Sequence, residues 1–297
     1  MKIIGLMPVR NEEWILDITI PQLKLFVDEL LVLDVESNDK TIEILKKHNV
    51  HVKHQPYHPV NLSKWRQTLL DWGRKRGGTH FVWLDADEAF TTNYLSTFKQ
   101  DVTQLKPGQK LVLDWLCVWG SPYKMRNDNS VWSDLSKDFV VCDDKTSNFA
   151  DTKLHEGRTP GSNDEKNIIK VSKNIGAVLH YQFVALERFH MKQAFQRCRE
   201  LVMHNADPLT INQKYSITLD DKNITCVDIP KNWINGIPHL EKLINAPVDW
   251  YYPAILDLFS KHGIQFFEPL QIWHIPELYD EFIKRVGRNP RPVLKPA

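Results

Sequence analysis

Three acidic residues follow one short apolar segment, and their types and spacing are suited to chemistry. The segment runs from His80 to Leu84, and Asp85, Asp87 and Glu88 come directly after it. A continuous apolar run of this length is typical of a strand that is buried on both faces of a sheet. Because a carboxylate is costly to bury in an apolar interior, we expect the acids at the carboxyl end of the strand, where α/β sheets bind ligands.

Asp85 and Asp87 are separated by a single residue. In an extended chain this spacing puts both side chains on the same side. Two hard oxygen ligands on one side suit Mg²⁺ or Mn²⁺, which usually take one or two carboxylates together with substrate phosphates. The alternative is a solvated acidic turn after the strand. The pair by itself fits both interpretations.

The overall composition is that of a soluble globular protein with a large core. The chain has 297 residues, 42% of them hydrophobic and 25% charged, and 38 basic residues against 37 acidic ones give a formal net charge of +1. This length fits one large α/β domain, or one domain with a modest appendage. Balanced charge gives no field that attracts nucleic acid, so we expect no nucleic-acid partner.

Cysteine spacing and the N-terminus indicate the compartment. The four cysteines form no Cys-x-x-Cys pair, which indicates neither a zinc site nor a disulfide framework and favours free thiols in a reducing compartment. The first apolar run meets charge at Arg10, too early for a signal peptide, and no stretch reaches the length of a membrane span. We therefore expect a cytoplasmic protein without a membrane span, in the host cytoplasm if the protein is viral.

The first ninety residues alternate between apolar runs and amphipathic segments. The predicted elements are strands at residues 3–7, 29–34, 49–53 and 80–84, and helices at 14–27, 42–47 and 61–76. This alternation is typical of a parallel sheet with right-handed crossovers. The first strand is not followed by Gly-x-Gly-x-x-Gly or a P-loop motif, so the usual dinucleotide and triphosphate fingerprints are absent from the sequence.

The rest of the chain has a less regular pattern. We predict a helix at 95–105, strands at 111–119 and 176–181, a basic amphipathic helix at 186–205, and a mobile loop over the polar stretch 124–151. The basic residues of the 186–205 helix are expected to form a solvated face, or to help hold a diphosphate: Arg188, Lys192, Arg197 and Arg199. The aromatic-rich remainder predicts a helical appendage that borders an acceptor groove or a dimer interface.

Three motifs follow the first, second and fourth predicted strands. They are Pro8-Val9-Arg10-Asn11-Glu12, Asp34-x-x-Ser37-x-Asp39-x-Thr41 and Leu84-Asp85-Ala86-Asp87-Glu88. In this order and spacing they resemble the motifs of family-2-like glycosyltransferases with the GT-A fold. The resemblance implies a Rossmann-like α/β fold with a mostly parallel sheet. It also implies a GT-A domain over residues 1–206, with a nucleotide-binding half at 1–90 and an acceptor side at 91–206, and a helical extension at 207–297.

The resemblance also implies an activity, which is inverting transfer of a sugar from a nucleotide-sugar donor, most simply a UDP-sugar, to a hydroxyl of a glycan acceptor. Mn²⁺ or Mg²⁺ would act as a Lewis acid on the departing diphosphate. Asp87 would bind the metal and Asp85 would face the ribose. The residues implied around the donor are Pro8, Val9, Arg10, Glu12, Glu36, Asp39, Arg66, Asp85, Ala86 and Asp87.

Two of these donor residues have a plain structural alternative. Arg66 lies in Asn61-Leu62-Ser63-Lys64-Trp65-Arg66-Gln67, which resembles the Phe-Ser-x-x-Arg-Asn stretch of the family but has Leu62 and Gln67 in place of Phe and Asn. Its alternative is a solvated helix charge. Asp39 precedes the helix at 42–47 and would serve equally as its cap.

Two later segments supply candidates for the remaining chemistry. The stretch Lys153-Leu154-His155-Glu156-Gly157-Arg158 resembles a His-Glu of these enzymes, and inverting transfer needs a base to deprotonate the attacking hydroxyl. Glu156 is the candidate base and Asp151 the second choice, against a surface-loop acid. His180, at the end of the 176–181 strand, matches the late His that completes the metal site in many GT-A enzymes. Its alternative is a structural role.

Four aromatic residues and two other functions complete the expectations. Trp115, Trp119, Tyr123 and Trp132 either stack on sugar rings or belong to the core. A sugar-phosphate nucleotidyltransferase would carry a Gly-rich loop with Lys or Arg for a triphosphate, and the first strand has no such loop. A non-catalytic glycan-binding module on the same fold would show glycan binding without metal-dependent nucleotide affinity.

Overall fold

The computed structural model describes residues 1–57, 62–128, 130, 132–150, 157–204, 206–216, 224–248 and 250–293. The chain forms two compact units. Unit 1 comprises residues 1–183 and 226–243, and unit 2 comprises residues 184–225 and 244–297. The expected boundary at residue 206 differs from this division, in which the segment from 184 belongs with unit 2 and residues 226–243 belong with unit 1.

Unit 1 contains a mixed sheet with helices. Its strands are β1 (Ile3–Val9), β2 (Glu29–Val35), β3 (His51–Gln55), β4 (His80–Trp83), β5 (Glu88–Phe90), β6 (Lys110–Trp119), β7 (Lys124–Arg126), β8 (Ser136–Cys142), β9 (Ile168–Lys170), β10 (Val178–Phe183) and β11 (Cys226–Asp228). Its helices are α1 (Leu16–Leu23), α2 (Thr41–Lys47), α3 (Leu62–Lys75) and α4 (Leu95–Thr103).

The strand order along the main sheet is β11-β7-β6-β8-β4-β1-β2-β3. Strands β3, β2, β1 and β4 are parallel, as the alternating pattern predicts. The second part of unit 1 adds β10, which lies between β5 and β6 and pairs parallel with β6 and antiparallel with β5. The expected α/β fold with a mostly parallel central sheet is confirmed, and the carboxyl ends of β1, β2 and β4 lie at one edge.

Burial explains why these segments form strands. Residues Ile4, Leu6, Leu31, Leu33 and Phe81 belong to one hydrophobic cluster with Leu69 and Leu70 of α3. Covered on both faces, β1, β2 and β4 carry nearly continuous apolar runs. The prediction that β1 stops at Pro8 is wrong, because Pro8 pairs with Leu33 on β2. On its other side, β1 pairs with β4 only as far as Leu6. No neighbouring strand on that side therefore needs the backbone N–H that Pro8 lacks.

The prediction of a mobile loop over residues 124–151 is also wrong. This stretch contains β7 and β8, and β8 lies antiparallel between β4 and β6 in the main sheet. The first three residues of β8 are polar, and its buried part begins at Phe139. Pairing with strands on both sides supplies what the local pattern lacks, because strand formation depends on its neighbours more than on intrinsic propensity.

Unit 2 is helical, with α5 (Leu186–His204), α6 (Pro208–Lys214), α7 (Tyr251–His262) and α8 (Pro276–Val286). Its core joins apolar residues of α5, such as Phe195 and Cys198, to Ile255 and Phe259 of α7. The expected solvated face of α5 is wrong for Arg188 and Arg197, which are both fully buried. Burial lowers the pKa of Arg197 to about 10, and its guanidinium donates to the Tyr215 carbonyl oxygen at 3.0 Å.

The described residues include no helix that is both long enough and apolar enough to cross a membrane.

Candidate active site

The acidic segment after β4 folds into a turn. Strand β4 ends at Trp83, and the Glu88 N–H donates to the Asp85 carbonyl oxygen at 3.1 Å. The chain is therefore not extended between Asp85 and Asp87, and the expectation that alternation puts both on one side is wrong. The Glu88 carboxylate, which accepts from the Asp85 N–H at 2.8 Å, helps to close this turn. Asp85 and Asp87 are consequently directed to different partners.

Glu88 is the buried centre of this turn. Its side chain is 0% exposed and accepts hydrogen bonds from Trp115 Nε1 at 2.7 Å and from Arg158 Nη1 at 2.5 Å and Nη2 at 2.8 Å. A buried carboxylate of this kind is tolerated because charged and polar donors satisfy both of its oxygens. Glu88 therefore positions the turn that carries Asp85 and Asp87.

Asp85 is the accessible carboxylate of the turn. Its side chain is 42% exposed and lies 3.2 Å from Arg158 Nη2. Burial raises the pKa of Asp85, but the positive charges of Arg158, Arg66 and Lys137 outweigh this effect and lower the pKa overall. Asp85 is therefore an ionised hydrogen-bond acceptor at neutral pH, which is the state that a ribose hydroxyl would require.

Asp87 lies against His180. Both are nearly buried, and Asp87 Oδ2 is 3.4 Å from His180 Nε2. The pairing of β5 with β10 produces this arrangement, because His180 is in register with Glu88 and the Tyr181 N–H donates to the Asp87 carbonyl oxygen at 2.8 Å. The His180 ring stacks on Trp115 with centroids 4.2 Å apart. Two strands that are distant in sequence thus hold a carboxylate and an imidazole together.

The Asp87–His180 pair fits a divalent ion. With bonds of roughly 2.1 Å and angles of about 90–110°, two ligands of one ion lie roughly 3.0–3.4 Å apart, which includes the observed spacing of 3.4 Å. Within the described ranges no group of three or more His, Cys, Asp or Glu side chains could hold a metal. Two protein ligands suit Mg²⁺ or Mn²⁺, which complete their shells with water and substrate phosphate oxygens.

Arg66 belongs to the same site. It is 6% exposed, and its Nη1 donates to the Gly157 carbonyl oxygen at 2.8 Å. The alternative of a solvated helix charge is therefore wrong. Gly157 directly follows the expected base Glu156, but Glu156 and the second choice Asp151 lie outside the described residues.

The loops after β1 and β2 are bonded to each other. Asn11 and Glu36 both have positive φ angles, of 53° and 55°, and the Asn11 N–H donates to Ser37 Oγ at 2.9 Å. Both carboxylate oxygens of Asp39 accept backbone N–H bonds, from Glu13 at 3.1 Å and from Thr41 at 2.9 Å. Asp39 thus joins the two loops just before α2, but it is not the helix cap, because the cap position is Lys40 and has no side-chain cap bond.

The other residues expected around the nucleotide-sugar donor lie at the same edge of the sheet. The Arg10 guanidinium lies 3.4 Å over the ring of Tyr57, and Glu36 Oε2 accepts from the Tyr57 N–H at 3.0 Å. Glu12 Oε2 accepts from Trp14 Nε1 at 2.6 Å. Three further expected residues could offer a ligand mainly backbone atoms or a small side chain. They are Pro8, which lies within β1, and the buried residues Val9 and Ala86.

A comparison with protein families agrees with this geometry. Residues 6–106 match the model of glycosyl transferase family 2. The match covers about a third of the chain. The motifs after β1, β2 and β4 all lie inside the match, so the resemblance drawn from them is confirmed. The parallel strands β1, β2 and β4 of this segment agree with the mostly parallel sheet that the resemblance implied.

Solved structures are similar to the chain at low sequence identity. S. aureus TarS 1-349 is 14% identical with a TM-score of 0.40, and the alignment covers 98% of this chain and 93% of that one. Its complex with UDP-GlcNAc is 17% identical with a TM-score of 0.39 over the same shares. Glucosyl-3-phosphoglycerate synthase from Mycobacterium tuberculosis, in complex with Mn²⁺, UDP-glucose and phosphoglyceric acid, is 20% identical with a TM-score of 0.28, covering 39% of this chain and 44% of that one. No curated protein sequence matches the chain.

The aromatic residues near the candidate site are mostly core. Trp115 and Trp119 are nearly buried, and Trp119 stacks on Phe183 with centroids 5.0 Å apart. Trp132 contacts the same Phe183 edge-on at 5.4 Å. Tyr123 is 44% exposed. Of the four expected stacking residues, Tyr123 therefore has the surface that a sugar ring would need, while Trp115 instead orients His180.

Three residues of the candidate site were not identified from the sequence in the roles that the structure gives them. Arg158 follows the His-Glu stretch directly but no pattern predicts its bond to Glu88. Glu88 looks like a third acid of the motif rather than its buried anchor. Lys137 lies on β8, which the polar composition concealed, and its Nζ lies 3.3 Å over the Trp115 ring. The role of each of these residues depends on contacts between segments that are distant in sequence, so it can be identified only from the folded structure.

Proposed function

We propose that this protein is a metal-dependent inverting glycosyltransferase that moves a sugar from a nucleotide-sugar donor, most simply a UDP-sugar, to a hydroxyl of a glycan acceptor. The observation that carries the proposal is the 3.4 Å approach of Asp87 to His180. Asp87 lies next to β4 within the segment that matches glycosyl transferase family 2, and His180 comes from the later strand β10. A carboxylate and an imidazole at this spacing form two ligands of a divalent ion beside the loops expected to hold a nucleotide.

Each residue has a stated task in this proposal. Asp87 and His180 hold Mn²⁺ or Mg²⁺, which when bound neutralises the developing charge of the departing diphosphate. Asp85, kept ionised by Arg158 and Arg66, accepts a hydrogen bond from the ribose. The loops after β1 and β2, joined by the Asn11–Ser37 hydrogen bond, are preorganised to frame the base.

Deprotonation of the acceptor hydroxyl requires a separate base. Glu156 is the proposed base and Asp151 the second candidate. Arg66 holds the carbonyl of the adjacent Gly157 at 2.8 Å and also contributes to the low pKa of Asp85. Arg66 thereby connects Asp85, the carboxylate proposed to contact the ribose, to the segment that carries the proposed base.

The test is a thermal-shift screen of nucleotide sugars with and without Mn²⁺. A ligand present at 100 times its Kd stabilises the folded state by about 2.7 kcal/mol. We expect a UDP-sugar to raise Tm when Mn²⁺ is present and to raise it less when the metal is chelated. Asp87→Asn should remove the metal-dependent part of this shift, because the amide is a poorer metal ligand. Asp17→Asn is the control, since Asp17 is exposed and pairs with Lys47 away from the site.

Two outcomes would reject the proposal. The first is that no nucleotide sugar shifts Tm under any metal condition. The second is that Asp87→Asn, still folded, retains the full Mn²⁺-dependent shift and the same rate of sugar transfer as Asp17→Asn.

A further inference from the structure

Lys137 has an unusual position in the site. In the antiparallel pairing of β8 with β6, Lys137 is opposite Leu113, and Trp115 lies two residues further along β6 on the same face. The ammonium of Lys137 lies 3.3 Å over the Trp115 ring, and that ring stacks on His180. Strand β8 therefore places a cation on the ring that also stacks on His180.

The donors of this ammonium are unused within the part of the chain that the structure describes. Its only close partner there is the Trp115 ring, and its Nζ makes neither a hydrogen bond nor an ion pair. Lys110 on β6 shows the contrasting case. Its buried Nζ donates to the Gly161 carbonyl oxygen at 3.2 Å and to Asn163 Oδ1 at 2.8 Å. Lys110 is thus a satisfied structural cation, whereas Lys137 keeps three N–H donors for a ligand.

The charges around Lys137 favour an anionic ligand. Burial lowers the pKa of Lys137, and the positive charge of Arg158 lowers it further, while Glu88 and Asp85 raise it by less. The Glu88 carboxylate already accepts bonds from Arg158 and Trp115. The ammonium therefore lacks a full counter-charge, and an added anion would stabilise it.

The charge balance of the site indicates which anion fits. Its described carboxylates are Asp85, Asp87, Glu88 and Asp138, and its described cations are Arg66, Lys137, Arg158 and Lys110, which pairs with Asp138. These four negative and four positive charges cancel. A divalent ion on Asp87 and His180 would leave an excess of two positive charges, which equals the charge that the diphosphate of a nucleotide sugar brings.

We propose that Lys137 binds the diphosphate of the donor and stabilises its negative charge as the sugar leaves. This inference rests on the proposed glycosyltransferase function and deepens it. Lys137 adds a charge-assisted N–H bond to the phosphate oxygens, in addition to the metal ligands Asp87 and His180. Trp115 links the two, because it contacts the Lys137 ammonium and stacks on the His180 ring.

The test measures binding of UDP and of uridine to the full chain by calorimetry in the presence of Mn²⁺. Lys137→Met keeps the apolar length of the side chain and removes its charge, and Lys137→Gln is a second neutral variant. A charge-assisted hydrogen bond corresponds to a factor of about 10–100 in affinity. We expect both variants to weaken UDP by that factor and to leave uridine unchanged, and Lys137→Arg to retain part of the affinity. Lys170→Met is the control, since Lys170 is exposed on β9.

The outcomes separate this inference from the function on which it rests. If the wild-type chain binds UDP and both neutral variants bind it equally well, Lys137 does not hold the diphosphate and this inference fails alone. A raised KM for the acceptor with unchanged UDP affinity would assign Lys137 to the acceptor and overturn the inference as well. Failure of the wild-type chain to bind UDP would reject the proposed function itself. Thermal unfolding without ligand verifies that each variant is folded.

Discussion

Arg158→Met is the sharpest test of how the site is held together. Arg158 is 7% exposed and donates two hydrogen bonds to Glu88, which is 0% exposed. Removing one partner of a buried ion pair costs about 3–5 kcal/mol, because the remaining charge loses its compensation. Glu88 would keep the donors Trp115 Nε1 and the Asp85 N–H, so we expect the lower end, about 3 kcal/mol.

The corresponding change in Tm follows from the size of unit 1. For 150–250 residues, 1 kcal/mol shifts Tm by about 2–4 °C, so Arg158→Met should lower Tm by about 6–12 °C. The matched control is Lys47→Met, because Lys47 pairs with Asp17 at 2.8 Å but both side chains are largely exposed. Such surface pairs contribute about 0–1 kcal/mol. Calorimetry and urea unfolding of both variants measure the difference.

A double-mutant cycle adds a second readout. Glu88→Gln combined with Arg158→Met removes both charges, and we expect the double variant to be more stable than the sum of the two single losses predicts. The reasoning is refuted if Arg158→Met loses no more stability than Lys47→Met, or if the two losses simply add. Either result would mean that the charges at Glu88 and Arg158 are compensated by groups other than each other.

Two further predictions concern stability. A Cβ at Gly176 would lie 2.3 Å from the buried ring of Tyr94, which packs against Phe98, so Gly176→Ala should cost about 1–3 kcal/mol through overpacking, and an unchanged Tm would contradict this. Asp144 accepts hydrogen bonds from Ser147 that outweigh the opposing effect of burial and lower its pKa to about 2. Because the folded pKa lies below the unfolded one, this stabilisation is complete above about pH 4 and is lost as the pH falls toward 2. Solvent screening limits it to the order of 1 kcal/mol, so the stability gap between wild type and Asp144→Asn should close over that range in acid unfolding, and a gap constant with pH would contradict the assignment.

The sequence was sufficient to predict the parallel strands of the first ninety residues. Strands that are buried on both faces must be apolar throughout. Strands β1, β2 and β4 could therefore be predicted from their apolar runs, and the polar residues that follow each strand mark where it ends. The sequence did not predict strand β8. Its residues alternate poorly, and its stability comes from pairing with β4 and β6, which are distant in sequence. Lys137 was missed for that reason.

Burial of charge is the other property that a pattern does not reveal. The basic residues of α5 look like a solvated face, yet Arg188 and Arg197 are buried. Arg66 likewise looks exposed on α3 but bonds to Gly157. A helical pattern shows which residues share a face and leaves open whether something packs on that face. Only the tertiary partners, such as the Glu88 carboxylate for Arg158, decide between these cases.

The position of His180 on β10 has a consequence for evolution and engineering of this protein. The segment that matches the glycosyltransferase family ends at residue 106, yet His180, Lys137 and Arg158 all come later in the chain. A shortened protein that ended there would keep the acidic turn without the imidazole or the cations that complete it. Exchange of the first 106 residues with the matching segment of another protein would therefore transfer the acidic turn and the loops after β1 and β2, while His180, Lys137 and Arg158 would be replaced by whatever the recipient's later strands supply.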